Sequence, residues 1–130
     1  MTISYERGAA LLETLNQGAV ERLRDALEPL APGFAEIAIG HAFGDVYTRP
    51  GLDMKTRQLA SIVCLCTLGN ARPQLMNHIK VGLNMGWTIE EIVEAMIQAA
   101  VYAGMPVALN GIAAADEVYR ALQDGKAATE

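Results

Sequence analysis

The sequence has little of what several classes of protein require. It contains two cysteines, Cys64 and Cys66, and on a helix this spacing points their side chains about 200° apart, so they can share neither a disulfide nor a metal ion. Its 10 lysines and arginines are scattered and its formal net charge is −5, whereas nucleic-acid binding needs concentrated positive charge. We expect two reduced cysteines, at least one of them in the core, and no nucleic-acid partner.

Standard catalytic and targeting motifs are also absent. There is no glycine-rich phosphate loop, no His-Glu-x-x-His pair, no zinc-spaced Cys/His set and no Gly-x-Ser-x-Gly elbow. The first residues lack the charged-then-apolar pattern of a signal peptide, which predicts a cytoplasmic protein. The uncharged run 95–115 is long enough to cross a bilayer, but Gly104 and Pro106 interrupt it and small residues dominate it. We interpret it as two short buried helices and expect no membrane partner.

What the sequence does contain is helical punctuation along its whole length, without a period-two segment bounded by hairpin turns. The pattern predicts an all-α fold of about six helices in one domain over residues 1–130. The predicted helices cover residues 5–27, 33–47, 53–68, 73–86, 88–103 and 106–122, with a fraying tail at 123–130. The first two could form a layer distinct from the other four. The strongest start signal is the capping box Thr88-Ile89-Glu90-Glu91.

The apolar content is high for a chain of this size. Hydrophobic residues make up 52% of the sequence and charged residues 19%, although a domain of 130 residues has a large surface relative to its volume. The second half of the third predicted helix, for example, carries no charge and must be buried in the core or against a neighbouring subunit. We therefore predict that apolar surface is buried between copies of the chain.

The stretch 75–84 places a histidine among apolar residues. Read as a helix, it puts Leu75, Ile79 and Gly82 on one stripe and His78 at the edge of that stripe. An imidazole titrates near neutral pH and can hold a proton there away from bulk water. The alternative is a packed, hydrogen-bonded side chain without a chemical role. The same two interpretations apply to His41.

Several segments, in order, resemble the carboxymuconolactone decarboxylase family. They are Phe-Gly-Asp-Val-Tyr-Thr-Arg-Pro-Gly-Leu-Asp from residue 43, Thr-Arg-Gln-Leu from 56, Gly-Leu-Asn from 82, Gly-Trp-Thr-Ile-Glu-Glu-Ile from 86 and Ala-Val-Tyr-Ala-Gly-Met-Pro-Val-Ala-Leu-Asn from 100. The resemblance spans residues 43–118. It implies an all-helical fold of the alkyl hydroperoxidase D-like type, which typically forms homo-oligomers and often hexamers, so we expect a trimer or hexamer.

One branch of this superfamily, which resembles alkyl hydroperoxidase D, uses a Cys-x-x-Cys pair one turn before a histidine. Here the residues seven and four positions before His78 are Ala71 and Gln74. Gln58 stands about where relatives carry a glutamate that relays protons, and glutamine cannot relay a proton. Peroxidase activity is therefore disfavoured. The resemblance implies instead the decarboxylation of 4-carboxymuconolactone, or of a similar unsaturated cyclic acid, in aromatic catabolism through the β-ketoadipate pathway.

This reaction needs no cofactor or metal, because the lactone carbonyl accepts the electrons released with carbon dioxide. By this interpretation His78 donates a proton to carbon, hydrogen-bond donors stabilise the oxyanion and an arginine binds the substrate carboxylates. The candidate donors are Gln58, Asn84 and Tyr102, and the candidate arginines are Arg49, Arg57 and Arg72. Two alternatives stay open. One is a non-catalytic or small-molecule-binding oligomer, and the other is a lyase, isomerase or hydrolase acting on another substrate.

Overall fold

A computed structural model describes residues 2–129 of the chain. Seven α-helices and one π-helical segment form the regular structure of these residues, and none of them lies in a strand. The α-helices are α1 (Ile3–Leu15), α2 (Ala19–Leu27), α3 (Phe34–Ile39), α4 (Met54–Leu68), α5 (Arg72–Asn84), α6 (Ile89–Ala103) and α7 (Met105–Thr129). The π-helical segment, Gly40–Val46, continues α3 without a break. The all-α prediction is confirmed.

The chain divides into two compact units, with the boundary between Leu52 and Asp53. The first unit contains α1, α2, α3 and the π-helical segment, and the second contains α4 to α7. This boundary falls between the second and third predicted helices. The prediction of one domain over the whole chain stays a prediction. Within the described residues, no helix has both the length and the apolar character that crossing a membrane requires.

The prediction of one long first helix is wrong. The helix ends at Leu15, and a second helix begins after Gly18, whose φ of +81° lies in the left-handed region that favours glycine. The carboxylate of Glu13 accepts hydrogen bonds from the backbone amides of Gly18 (2.9 Å) and Val20 (3.2 Å). These two bonds lower the pKa of Glu13. The apolar spacing continues across the turn, which is why periodicity alone did not reveal the break.

Glycines bring the backbone of α1 close to the π-helical segment. A Cβ atom added to Gly44 would overlap the backbone carbonyl of Ser4, and one added to Gly40 would lie 3.3 Å from the amide nitrogen of Tyr5. Arg7 secures the same contact, since its Nε donates to the carbonyl of Gly44 at 2.6 Å. The first unit is therefore held together by backbone surfaces that have no room for larger side chains.

In the second unit the sequence signals mark the helix ends correctly. Asp53 caps α4 by accepting the amide of Thr56 at 2.7 Å, and Gly69 ends the helix with φ +78°. Both hydrogen bonds of the capping box before α6 are present. The backbone amide of Thr88 donates to the carboxylate of Glu91 at 3.0 Å, and the backbone amide of Glu91 donates to the hydroxyl of Thr88 at 3.1 Å. The centre of this unit is a cluster of fully buried side chains. Its members with no exposed surface are Ile62, Ile79, Ile92, Met96, Ala114 and Ala115.

Other expectations need correction. The last helix continues to Thr129 instead of ending near residue 122, and residue 130 of the expected fraying tail lies outside the described residues. The run 95–115 does divide at Gly104 into the end of α6 and the start of α7, but it is not fully buried within the chain. Val101 is 68% exposed and Tyr102 is 87% exposed. The second half of α4 has Cys66 in the core, as predicted for at least one cysteine, and exposes Cys64 within the chain, so burial of this half against a neighbouring subunit stays a prediction.

Candidate active site

The structure brings His78 and Gln58 into contact, although they are 20 residues apart in sequence. Nδ1 of His78 lies 2.9 Å from Oε1 of Gln58. Gln58 belongs to the buried stripe of α4 with Ile62 and Cys66, at four-residue spacing, and α5 packs beside this helix after a short turn. Helix periodicity and the hairpin of α4 and α5 together place the two polar side chains opposite each other.

Gln58 has no exposed surface, and both ends of its amide have partners. Oε1 faces the imidazole, and Nε2 donates to the sulfur of Met54 at 3.6 Å. A carbonyl oxygen can only accept a hydrogen bond, so Nδ1 of His78 carries the proton of this contact. Nε2 is therefore the ring nitrogen that gains and loses a proton when His78 titrates.

Burial lowers the pKa of His78 below its ordinary value of 6.5. The physical cause is the loss of hydration around the charged imidazolium. Gln58 is neutral and adds no charge that would favour imidazolium, as a carboxylate in its place would. At neutral pH the site thus holds a neutral imidazole with Nδ1–H directed at an amide carbonyl, which is able to take up a proton at Nε2 and return it.

Trp87 fixes the start of α4 relative to the segment that leads into α6. Its indole Nε1 donates to the backbone carbonyl of Lys55 at 2.6 Å, and Nζ of Lys55 lies 4.4 Å from the centre of the indole ring. Sequence reasoning missed this contact. The available signal was a single tryptophan directly before the capping threonine, but its partner is 32 residues away. The contact holds the first turn of α4, which carries Met54, one turn before Gln58.

The other predicted site residues lie in different surroundings. On α5, Arg72 pairs with Glu117 at 2.6 Å and lines a cavity of about 240 Å³ beside Cys66. It lies six positions before His78, about 9 Å along the helix axis. Arg57 directly precedes Gln58 on α4 and is half-buried, whereas Asn84 is the exposed last residue of α5.

Two further candidates are exposed. Tyr102 lies near the end of α6, and Arg49 belongs to the first compact unit. Their roles, like those of the other candidate substrate-binding residues, stay predictions. In the part of the chain that the structure describes, no three His, Cys, Asp or Glu side chains are grouped so that they could hold a metal ion.

Comparison with known proteins identifies the class to which this helical hairpin and histidine site belong. The profile of the Carboxymuconolactone decarboxylase family matches residues 32–117, so the chain belongs to that family. It is 31% identical over 119 residues to a 4-carboxymuconolactone decarboxylase of Acinetobacter baylyi, an alignment that covers 91% of this chain and 88% of the relative.

Two other relatives span smaller parts of the chain. A nitrosuccinic acid decarboxylase of Metarhizium robertsii is 37% identical, with 69% of this chain and 62% of the relative covered. An uncharacterised protein of Paracoccus denitrificans is 34% identical, with 72% and 71% covered. Two of these three relatives are thus named decarboxylases, which supports a decarboxylase-type function acting on a small molecule.

Proposed function

We propose that this protein is a cofactor-independent decarboxylase of 4-carboxymuconolactone, or of a closely similar unsaturated cyclic acid, in aromatic catabolism. The observation that carries the proposal is the half-buried imidazole of His78, held at Nδ1 by Gln58. The relative named 4-carboxymuconolactone decarboxylase supports the choice of substrate, because its alignment covers nearly the whole chain. The cytoplasmic location stays a prediction from the sequence.

The chemistry requires one proton and a place for two electrons. The bond between the ring carbon and its carboxylate breaks, carbon dioxide leaves, and the electron pair moves through the conjugated double bond onto the lactone carbonyl oxygen. The resulting dienolate then takes a proton on carbon and the carbonyl re-forms. The substrate is its own electron acceptor, so the protein has to supply hydrogen bonds to the oxyanion and one acid.

His78 is the proposed acid, acting from Nε2. In its protonated form both ring nitrogens are donors, so Nδ1–H keeps its bond to Gln58 while Nε2–H faces the substrate carbon. Gln58 acts through His78, since its buried amide is engaged by the imidazole and by Met54. Donation to the oxyanion then falls to Asn84 or Tyr102, and binding of the carboxylates to Arg49, Arg57 or Arg72.

Nitrosuccinic acid is the second substrate to test, because a relative is named for its decarboxylation. In that compound a carboxylate and a nitro group share one carbon. Loss of carbon dioxide leaves an electron pair that the nitro oxygens accept, and the carbon is then protonated. Both decarboxylations therefore require the same group from the protein, an acid placed at a carbon next to an oxygen-bearing electron acceptor.

Turnover of the two compounds by the intact protein tests the proposed function. Carbon dioxide release and ultraviolet absorbance should report decarboxylation of 4-carboxymuconolactone at a higher kcat/KM than of nitrosuccinic acid. In deuterium oxide one solvent-derived deuterium should appear on carbon in the product. A protein that binds the lactone without releasing carbon dioxide would instead be a binding oligomer, and a product that retains all carbons would indicate an isomerase or hydrolase.

Gln58→Glu should raise the pH range over which the enzyme works. With His78 as acid, kcat/KM is highest when the imidazole of the free enzyme is protonated, and it falls as pH rises through the lowered pKa of His78. A carboxylate at hydrogen-bond distance favours imidazolium and should move this falling limb up by about 1 to 3 pH units. The measurement is the pH profile of kcat/KM, with Gln123→Glu, an exposed change on α7, as control. An unmoved limb would show that it does not report His78.

The proposed assembly is a homo-oligomer, a trimer or a hexamer. Large apolar side chains of the second unit are 47% to 87% exposed within one chain, more than a soluble monomer is expected to leave in contact with water. They are Leu68, Ile97, Val101, Tyr102, Met105 and Leu109. Light scattering coupled to gel filtration should give three or six times the mass of the chain. A stable monomer at micromolar concentration would contradict this prediction.

A further inference from the structure

We propose that Met54 is a positioning residue, whose sulfur holds the amide of Gln58 in the orientation that presents its carbonyl to His78 and thereby sets the tautomer of the imidazole. The inference rests on the proposed function only for its catalytic meaning. The tautomer itself can be measured whether or not the protein turns over any substrate.

The carboxamide of Gln58 can take two orientations that fill the same space. In the observed one, Oε1 lies 2.9 Å from Nδ1 of His78 and Nε2 lies 3.6 Å from Sδ of Met54. Rotating the amide by 180° would point its NH₂ group at the histidine, which would then have to accept at Nδ1 and carry its proton at Nε2. The two orientations therefore correspond to the two neutral tautomers of His78.

Met54 distinguishes between these orientations because a thioether sulfur has lone pairs and no hydrogen to donate. It can accept from an NH₂ group, but it offers nothing to a carbonyl oxygen. Gln58 has no exposed surface, so water does not compensate for a lost partner, and a buried donor without an acceptor is costly. The flipped amide would lose the bond to sulfur and bring its oxygen against sulfur lone pairs.

The first turn of α4 keeps Met54 at this position. Asp53 caps the helix through the amide of Thr56, and the bond from Trp87 to the carbonyl of Lys55 ties the neighbouring residue to the segment before α6. Met54 and Gln58 lie four residues apart on α4, where side chains on the same face meet. The contacts therefore run from Met54 through Gln58 to His78. The start of α4 thus determines which ring nitrogen of the histidine carries the proton.

The tautomer of His78 determines which ring nitrogen transfers the proton in the proposed reaction. With the proton on Nδ1 in the neutral state, Nε2 takes up and delivers the catalytic proton. A mixture of tautomers would leave part of the enzyme with Nδ1 as the basic nitrogen, which faces Gln58 instead of the substrate. Met54→Leu keeps an apolar side chain of similar size but removes the acceptor. It should lower kcat by about 2- to 10-fold, the range expected for losing one neutral hydrogen bond.

Nitrogen NMR of protein labelled at histidine tests the tautomer directly. The chain has two histidines, and His41→Asn assigns the spectrum. Above the pKa of His78, the unaltered protein should show a proton bonded to Nδ1 and an unprotonated Nε2. Met54→Leu should shift both nitrogens toward averaged values. Met76→Leu, on α5, is the matched control and should leave them unchanged.

Each outcome decides the proposal. A proton on Nε2 in the unaltered protein overturns it, as does a folded Met54→Leu variant that keeps the original nitrogen shifts. Averaged shifts in a folded Met54→Leu variant, together with unchanged shifts in Met76→Leu, support it. If the intact protein decarboxylates neither compound, the proposed function fails while the NMR result still stands for or against the role of Met54.

Discussion

Replacing His78 by alanine is expected to lower kcat for 4-carboxymuconolactone by about 10²- to 10⁴-fold, the range that a general acid contributes. The reason is that the dienolate would have to take its proton from water, which is not positioned at the carbon. Because the proton is needed only after the substrate is bound, KM should change much less than kcat. The measurement is steady-state release of carbon dioxide.

A second variant separates chemistry from folding. His78→Asn retains an NH₂ group that can donate to Oε1 of Gln58, so it should preserve the packing between α4 and α5 while removing the titrating group. It should be as inactive as the alanine variant. His41→Asn removes the other histidine, which is exposed on the π-helical segment, and should retain activity. Turnover that survives His78→Asn would remove His78 from the role of proton donor.

Gly44→Ala should strongly destabilise the first unit. The added Cβ would overlap the backbone carbonyl of Ser4, and a backbone atom cannot rotate away as a side chain can. Forcing an extra carbon into a packed contact costs about 1 to 3 kcal/mol, and more where the contact is with backbone. The expected result is a fall of this size or larger in the free energy of unfolding, measured by urea titration of the helical circular dichroism.

The matched control for this change is Gly51→Ala. Gly51 lies in the same unit and has nothing within 4 Å of the position that a Cβ would take. Its substitution should change the free energy of unfolding by less than about 0.5 kcal/mol, as is usual for surface positions. Equal stability of the two variants would mean that α1 and the π-helical segment do not pack through Gly44.

The helix ends show how much of the fold is local. The side chains of Asp53 and Thr88 accept backbone amides at the start of their helices, and the backbone amide of Gly69 donates to a carbonyl in the last turn of α4. Each of these bonds spans fewer than four residues, so the helix ends can be predicted without knowing what packs nearby. Gly18 shows the limit of this approach. The apolar spacing runs on across it, and the turn is revealed by the left-handed φ of Gly18 and by the bonds from its amide and that of Val20 to Glu13.

The candidate site likewise has features that the sequence shows and features that only the packing of helices shows. The place of His78 beside an apolar stripe marks it as a candidate in the sequence, and the lack of a Cys-x-x-Cys pair is the reason that the sequence predicts no peroxidase activity. The sequence also identified the family, which the profile match confirms. These features depend on residue types and on spacings of a few positions, so they can be inferred from the sequence alone.

Tertiary structure alone decided the partner of that histidine and the state of its ring. Gln58 meets His78 across 20 residues, Met54 orients the amide and Trp87 reaches Lys55 across 32 residues. Tyr102, by contrast, is a donor candidate in the sequence and is exposed within the chain. The physical reason is that helix periodicity defines which face a residue occupies, whereas the packing of α4, α5 and α6 determines which side chain lies opposite that face.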